Sequence, residues 1–119
     1  MAGLEETLAR IGLWDDRFIS SLPRCAREGI KLDQKTCALA GLAALIGLDG
    51  AMASFVASVQ DAQTAGASAT EIVATLLAVL PSVGIVRASS AAPKLALALG
   101  YELDAALDDN DQGLPQRRI

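Results

Sequence analysis

The sequence contains no histidine, few aromatic residues and only two cysteines. The absence of histidine excludes catalysis by a histidine base and metal sites built on histidine. Cys25 and Cys37 lie twelve positions apart, which excludes a C-x-x-C redox pair and zinc-type spacing. Aromatic residues make up 3% of the chain, whereas alanine and leucine are abundant, and this composition favours helices over strands. We expect neither a metal nor a cofactor.

No hydrophobic run is long enough to cross a bilayer. The longest uncharged apolar run, at 37–48, covers 12 residues, whereas a spanning helix needs roughly 20. Glu5 and Glu6 stand where a signal peptide would carry positive charge. The net charge of −4 argues against nucleic acid and anionic membrane surfaces as partners. These features predict a cytoplasmic protein with both thiols reduced, binding neither nucleic acid nor membrane.

Charge is distributed very unevenly along the chain. Between residues 36 and 101 the charged side chains number five: Asp49, Asp61, Glu71, Arg87 and Lys94. One small domain cannot hide so long an apolar stretch from water, because much of its surface stays exposed. We therefore expect an obligate homo-oligomer that buries helix faces between copies. The alternative is a monomer with an alanine-rich, weakly apolar surface.

The periodicity of apolar residues predicts an all-α bundle of about five to six helices. They are expected at 4–11, 14–28, 33–48, 51–65, 69–80 and 83–99, with Pro23 breaking or kinking the second helix, Pro81 ending the fifth and Gly100 ending the last. Gly29 is a candidate C-cap, and Pro93 predicts a kink or two stacked pieces in the last helix. The apolar stripe of the fourth helix is Met52, Phe55, Val56, Val59 and Ala62. Asp33 suits a helix N-cap, and Ser68 with Glu71 is typical of a capping box. The helix at 33–48 is apolar on every face, which is typical of a fully buried helix.

The organisation predicted from these segments has three parts. Residues 1–30 form an N-terminal helical extension, residues 31–101 form the helical domain, and residues 102–119 form an acidic tail that we expect to be mobile.

The order of these segments resembles the carboxymuconolactone decarboxylase family, which is grouped with the alkylhydroperoxidase AhpD-like helical fold. The resemblance rests on LDQKT at 32–36, a small-residue helix, AGASATEI at 65–72, and an apolar helix broken near Gly84, so it covers about residues 30–100. It implies an AhpD-like helical bundle assembled as a homotrimer or homohexamer.

The residues that react in that family are missing at the matching positions. The family's peroxidase motif, C-x-x-C-x-x-x-H, falls on Ala51, Ser54 and Ser58, and its glutamate falls near Ala38. A serine hydroxyl is not ionised at neutral pH and forms no disulfide, so thiol peroxidase chemistry is lost. The decarboxylase branch usually keeps the histidine, here Ser58, and an arginine near the position of Cys37. Both are absent.

Candidate site residues follow from this alignment and from charge, and none is assigned a catalytic role. The α-helical row that matches the family's reactive face is expected to line a pocket: Ala51, Ser54, Ser58 and Asp61. Candidate anion-binding or ion-pairing residues are Arg87, Lys35 and Glu71, with Arg87 expected to pair with Asp61 or Glu71 of the same chain or of another subunit. Cys37 is a candidate lone thiol, although a small core residue is the commoner role. Lys94, which follows Pro93, is interpreted as a solvated charge near the end of a helix.

Three hypotheses of function stay open. The first is a homo-oligomer that has lost the peroxidase motif and acts as a binding or scaffold protein, or as an enzyme of unknown reaction, with a small organic acid as candidate ligand. The alternative is a lyase or isomerase of a small carboxylated lactone, with Arg87 or Lys35 holding the carboxylate and Asp61 or Glu71 moving the proton. The third is a helical module that binds a different protein.

Overall fold

A computed structural model describes residues 2–23, 26–27 and 29–101, and over these ranges the chain has the predicted all-α class. The helices are α1 (Ala2–Gly12), α2 (Asp16–Ser21), α3 (Gln34–Leu48), α4 (Met52–Thr64), α5 (Ala69–Val83) and α6 (Ile85–Leu99). A small hairpin, β1 (Ala26–Arg27) with β2 (Ile30–Lys31), lies between α2 and α3. None of the described helices combines the length and the hydropathy that crossing a membrane requires.

The chain divides into two compact units. Unit 1 is Met1–Cys37 and unit 2 is Ala38–Ile119. The predicted boundary between residues 30 and 31 lies inside unit 1. The predicted acidic tail, residues 102–119, lies outside the described residues.

In unit 1 the predicted helical segment 14–28 is broken before Pro23, which is one of the two outcomes that this proline predicted, and the residues at 26–27 form a strand instead of more helix. Helix α2 ends at Ser21, and Leu22 is extended (φ −70°, ψ 129°) because the ring of Pro23 disfavours helical backbone in the residue before it. The chain then forms the antiparallel hairpin, in which residues 26 and 27 pair with 31 and 30. Gly29, expected to cap a helix, lies in the hairpin turn with φ +72°.

The described part of unit 2 holds a continuous apolar core, to which α4, α5, α6 and the part of α3 after Cys37 contribute. The apolar stripe predicted on α4 is confirmed, since Phe55, Val59 and Ala62 are fully buried. Around them pack Leu42 and Ile46 of α3, Ile72 of α5, and Ala91 and Leu95 of α6. Helices α4 and α5 both pack on α6.

The predicted helix starts are confirmed by their hydrogen bonds. The Thr36 backbone N–H donates to Asp33 Oδ1 at 2.9 Å. Hydrogen bonds from the side chain and backbone of Thr36 lower the pKa of Asp33 below its ordinary value. At α5, the Glu71 N–H donates to Ser68 Oγ at 3.1 Å and the Ser68 N–H donates to Glu71 Oε1 at 3.0 Å. This reciprocal pair is the expected capping box.

The break between α5 and α6 lies at Gly84. Helix α5 runs two residues past Pro81, where we expected it to end. Gly84 has φ +86° and ψ +161°, a backbone region open essentially only to glycine. Pro93 lies inside α6, which ends before a left-handed Gly100, as expected.

Helix α3 is not fully buried, contrary to the expectation from its uniform apolarity. One side carries core residues, but Ala40, Gly41, Ala44 and Leu48 are exposed on the other. A helix that is apolar on every face carries no signal in its sequence for which face points to the core. The exposed face therefore leaves uncharged surface on unit 2.

Candidate functional site

The residues predicted to line a pocket lie along one face of α4. Ser54, Ser58 and Asp61 follow one another at helical spacing, and Ala51 is the N-cap, without a side-chain capping bond. Ser58 is half-buried, and the other three are exposed. The row lies beside the buried stripe of α4, on the surface of the chain. A closed pocket at this row therefore needs a second surface to cover it.

Glu71 has a structural role in the capping box at the start of α5. Its Oε1 accepts the Ser68 N–H, and its own N–H donates to Ser68 Oγ. The first four N–H groups of a helix lack partners within the helix, and the box satisfies two of the unpaired donors. This use of the carboxylate does not favour Glu71 as a proton-transfer group.

Arg87 binds a backbone carbonyl where we expected a carboxylate. Its Nη1 donates to the carbonyl oxygen of Gly47 at 2.5 Å. Gly47 belongs to the last turn of α3, whose carbonyls have no partner within the helix. A cation at a helix C-terminus also interacts favourably with the helix dipole. Within one chain this capping of α3 takes the place of the expected pairing of Arg87 with Asp61 or Glu71, and the pairing between subunits stays a prediction.

Sequence analysis missed a polar cluster next to Arg87. Asp49 Oδ1 accepts hydrogen bonds from Ser90 Oγ at 2.7 Å and from Lys94 Nζ at 3.4 Å. Lys94 Nζ also donates to the Gly50 carbonyl at 2.9 Å and lies 5.6 Å from the centre of the Phe55 ring. We call Asp49, Arg87, Ser90 and Lys94 the α3-end cluster. Lys94 is thus half-buried and paired, and is not the freely solvated charge that we expected.

The electrostatics of the α3-end cluster favour an ionised Asp49. The hydrogen bond from Ser90, the hydrogen bond and charge of Lys94, and the charge of Arg87 all lower the pKa of Asp49. The Arg87 guanidinium also donates to the Gly47 carbonyl, and the Lys94 ammonium donates to the Gly50 carbonyl. The groups satisfy one another, so the cluster stabilises the end of α3 and offers no free cation to a substrate.

The backbone of Asp49 explains why the cluster begins there. Asp49 has φ +53°, and the Gly50 N–H donates to the Leu45 carbonyl while the Asp49 N–H donates to that of Ile46. This is the Schellman pattern, in which glycine usually occupies the left-handed position. Helices α4 and α6 end with the same pattern and have glycine there, Gly66 and Gly100. An aspartate is tolerated in this conformation, and here its carboxylate binds Ser90 and Lys94.

Lys35 and Cys37 lie in the first turn of α3, within unit 1. Cys37 is disulfide-bonded, so the predictions that it is a lone thiol and that it is reduced are wrong. The sequence signal for this was the even number of cysteines, which a cytoplasmic interpretation set aside. Lys35 is half-buried, and its charge contributes to the lowered pKa of Asp33.

The described side chains offer hydrogen bonding but no assembled catalytic group. The hydroxyls of Ser54 and Ser58 can bind a polar ligand. Within residues 2–23, 26–27 and 29–101, no group of three or more histidine, cysteine, aspartate or glutamate side chains could hold a metal ion. Asp61 is exposed and Arg87 caps α3, so the base and cation of the lyase alternative are not brought together at a pocket.

No family model matches the chain, and neither the curated proteins nor the solved structures include a match. The resemblance to the carboxymuconolactone decarboxylase family therefore stays a prediction.

Proposed function

We propose that the protein is an AhpD-like homo-oligomer, a trimer or hexamer, that works as a binding or scaffold protein and not as a thiol peroxidase. The observation that carries this proposal is the uncharged outward face of α5, together with the exposed large hydrophobics at the end of α3 and the start of α6. Apolar patches larger than a few hundred Å² are rare on monomers and mark interaction sites. A second copy of the chain is the partner that we propose for this surface.

Helix α5 provides the central part of that surface. Its outward residues follow helical spacing and are all uncharged: Thr70, Val73, Ala74, Leu77, Ala78 and Pro81. Leu77 is 64% exposed, although a leucine side chain gains roughly 1.5–3 kcal/mol from full burial. Packing this face against another copy would recover that free energy.

The end of α3 and the start of α6 extend the apolar surface. The hydrogen bond from Arg87 to Gly47 holds these two segments together, and the residues beside it, Leu48 and Val86, are exposed large hydrophobics. The α3-end cluster gathers three of the five charges found between residues 36 and 101 at this one end. The outward face of α5 is left without charge, which supports burial between copies.

The candidate ligand site is the row on α4. Ser54 and Ser58 supply hydroxyls, and assembly of copies would supply the covering surface that a single chain does not. We propose a small organic acid as the ligand class, as the family resemblance implies. The cytoplasmic location predicted from the sequence is disfavoured by the disulfide at Cys37, because disulfides are rare in the cytosol.

Native mass spectrometry of the full chain tests the assembly and the ligand together. We expect a discrete trimer or hexamer, and any bound acid adds its own mass. Leu77→Glu places a charge in the proposed interface and should shift the assembly toward monomer. The matched control is Leu8→Glu on α1, which makes the same change at a side chain that is 72% exposed. A monomeric wild-type chain would contradict the proposal, and so would an assembly that Leu77→Glu leaves intact.

Peroxide consumption tests the lost redox function. With a dithiol reductant present, the pure protein should consume no hydroperoxide above the rate of the reductant alone. Turnover that Cys37→Ser abolishes would overturn the proposal, because it would show a working peroxidatic cysteine.

A further inference from the structure

Helices α5 and α6 are joined by a single residue, Gly84. The helical pattern of hydrogen bonds reaches this residue from both sides. Its N–H donates to the Leu80 carbonyl at 3.0 Å, and its carbonyl accepts the Ala88 N–H at 3.1 Å. The two helices are separated by its backbone conformation, φ +86° and ψ +161°, because a helical residue has about −63° and −42°. Rotation about two torsions of one glycine therefore joins α5 and α6 into one helix.

The backbone around Gly84 can form this continuous helix. Helical torsions at Gly84 align the N–H groups of residues 85–87 with the carbonyls of residues 81–83, because each helical N–H donates four residues back. Those groups lie at helix ends and have no partner within either helix, and a glycine N-cap supplies no side chain to bind them. A Cβ built on Gly84 meets no described atom within 4 Å. The joined helix, 69–99, would be about 46 Å long.

Straightening this joint removes α6 from the core of its own chain. Ala91 and Leu95 of α6 belong to the same buried cluster as Phe55 of α4 and Ile72 of α5. An open chain exposes this apolar surface to water, which is unfavourable. The segment that fits the vacated place is α6, so the complementary partner of one open chain is a second open copy. If each chain places its α6 on the other, the core contacts are restored.

We propose that Gly84 is a hinge for domain swapping, through which two copies exchange α6 and form a closed two-fold dimer. In this dimer the hydrogen bonds of the α3-end cluster run between chains, since Asp49 lies before the hinge and Ser90 and Lys94 lie beyond it. A short hinge between packed elements favours such exchange. The exchange uses the core face of α6, so it does not rest on the assembly proposed above, which uses the outward face of α5.

A zero-length cross-link distinguishes this exchange from other kinds of assembly. A carbodiimide joins a carboxylate to an amine as an amide, and Lys94 Nζ lies 3.4 Å from Asp49 Oδ1. Full chains with and without ¹⁵N label are mixed, unfolded in urea, refolded together at high concentration, cross-linked and digested for mass spectrometry. We expect Asp49–Lys94 cross-links that join a labelled to an unlabelled peptide. In fully swapped protein they make up about half of these cross-links, because the two chains of a dimer combine at random.

Variants at the hinge should change the amount of swapped dimer in opposite directions. Gly84→Ala disfavours the positive φ and favours helix, so the dissociation constant of the swapped dimer should fall about tenfold per chain, or about a hundredfold per dimer. Insertion of Gly-Gly-Ser after Gly84 interrupts the long helix and should remove the mixed-isotope cross-links. The matched control is Gly66→Ala, which makes the same change at φ +96° and also meets no described atom within 4 Å. It should leave the proportion of mixed-isotope cross-links unchanged.

Three results would overturn the proposal. The first is an unmodified chain whose Asp49–Lys94 cross-links all join peptides of the same isotope. The second is an insertion variant that keeps the mixed-isotope cross-links, and this variant decides the question if Gly84→Ala does not fold. The third is a folded Gly84→Ala chain with no increase in swapped dimer. The proposed trimer or hexamer fails separately, through Leu77→Glu, because pairing through the outward face of α5 keeps the Asp49–Lys94 contact within one chain.

Discussion

Unit 1 and unit 2 bury apolar side chains to very different extents. Unit 2 contains a group of fully buried large side chains, including Leu42, Ile46, Phe55 and Ile72. In unit 1 the largest buried side chain described is Phe18, which lies under the Arg10 guanidinium at 5.1 Å from the ring centre. Unit 2 has a packed core in its described part, whereas the described residues of unit 1 show local helix caps and the disulfide at Cys37. One chain thus uses two different means of stabilisation.

Charged side chains are also distributed unevenly along the chain. Residues 1–35 carry twelve charged side chains, which solvate the short elements of unit 1. Residues 36–101 carry five, and the α3-end cluster uses three of them to cap a helix. The low number of charges at 36–101 is the reason for the proposed contact with another copy.

Truncation of one phenylalanine in each unit should give the largest contrast. Phe55→Ala removes a fully buried ring from unit 2 and should lower the free energy of unfolding by about 3–5 kcal/mol. Phe18→Ala should leave the unfolding of unit 2 unchanged, because Phe18 belongs to unit 1. Urea denaturation followed by far-UV circular dichroism measures both variants. Equal losses of stability would contradict the separation into two units.

Substitutions at residues with positive φ should change stability in opposite directions in the two units. Gly84→Ala places a side chain at φ +86°, ψ +161° and should destabilise unit 2 by about 1–3 kcal/mol. Trp14 has φ +59° at the end of α1, so Trp14→Gly should stabilise unit 1 by about 1–2 kcal/mol. Thermal unfolding checks Gly84→Ala, and protection of unit 1 from trypsin checks Trp14→Gly. A neutral Gly84→Ala would show that the break between α5 and α6 adjusts freely.

Helix capping should give a smaller and local effect in each unit. Ser68→Ala removes the acceptor for the Glu71 N–H at the start of α5 and should cost about 1 kcal/mol. Asp15→Ala removes the acceptor for the Phe18 N–H at the start of α2, at 3.1 Å. The first change should lower the denaturation midpoint of unit 2, and the second should only increase cleavage in unit 1. Ser68→Thr, which keeps the hydroxyl, should retain most of the stability.

The smallest expected effect is the pH dependence that Asp49 contributes. Its pKa in the folded chain is below the ordinary value of 3.8, mainly because of the hydrogen bond from Ser90. The stabilisation is therefore complete above pH 3.8 and is lost as the pH falls through the folded pKa. Asp49→Asn should flatten this part of the curve of stability against pH. If Asp49→Asn loses stability at low pH just as the unmodified chain does, the protonation of Asp49 is not coupled to folding.

Local signals in the sequence predicted the core-facing side of α4 and the starts of α3 and α5. The stripe of α4, the cap at Asp33 and the box at Ser68 each depend on residues a few positions apart, and the structure confirms all three. The α3-end cluster could not be predicted in the same way. It joins Asp49 to Ser90 and Lys94, more than forty residues further on, and one sequence carries no signal for such a contact.

Unit 1 was predicted less well, for physical reasons. Its charged segment at 14–28 has a helical pattern of apolar residues, but Pro23 imposes an extended Leu22 and the hairpin follows. Gly29, which lies between the short strands at 26–27 and 30–31, is the residue from which the hairpin could have been predicted. The predicted pocket row on α4 has helical spacing, as expected, but its exposure depends on tertiary packing that spacing alone does not define.

Amide hydrogen exchange of the oxidised full chain tests the contrast between the units most directly. With the disulfide intact, the amides of α4, α5 and α6 should exchange through global unfolding and share one high protection. The amides of α1 and α2 should exchange faster by orders of magnitude, through local opening of unit 1. Equal protection in both units would contradict the account, because it would show that the chain unfolds as a single cooperative structure.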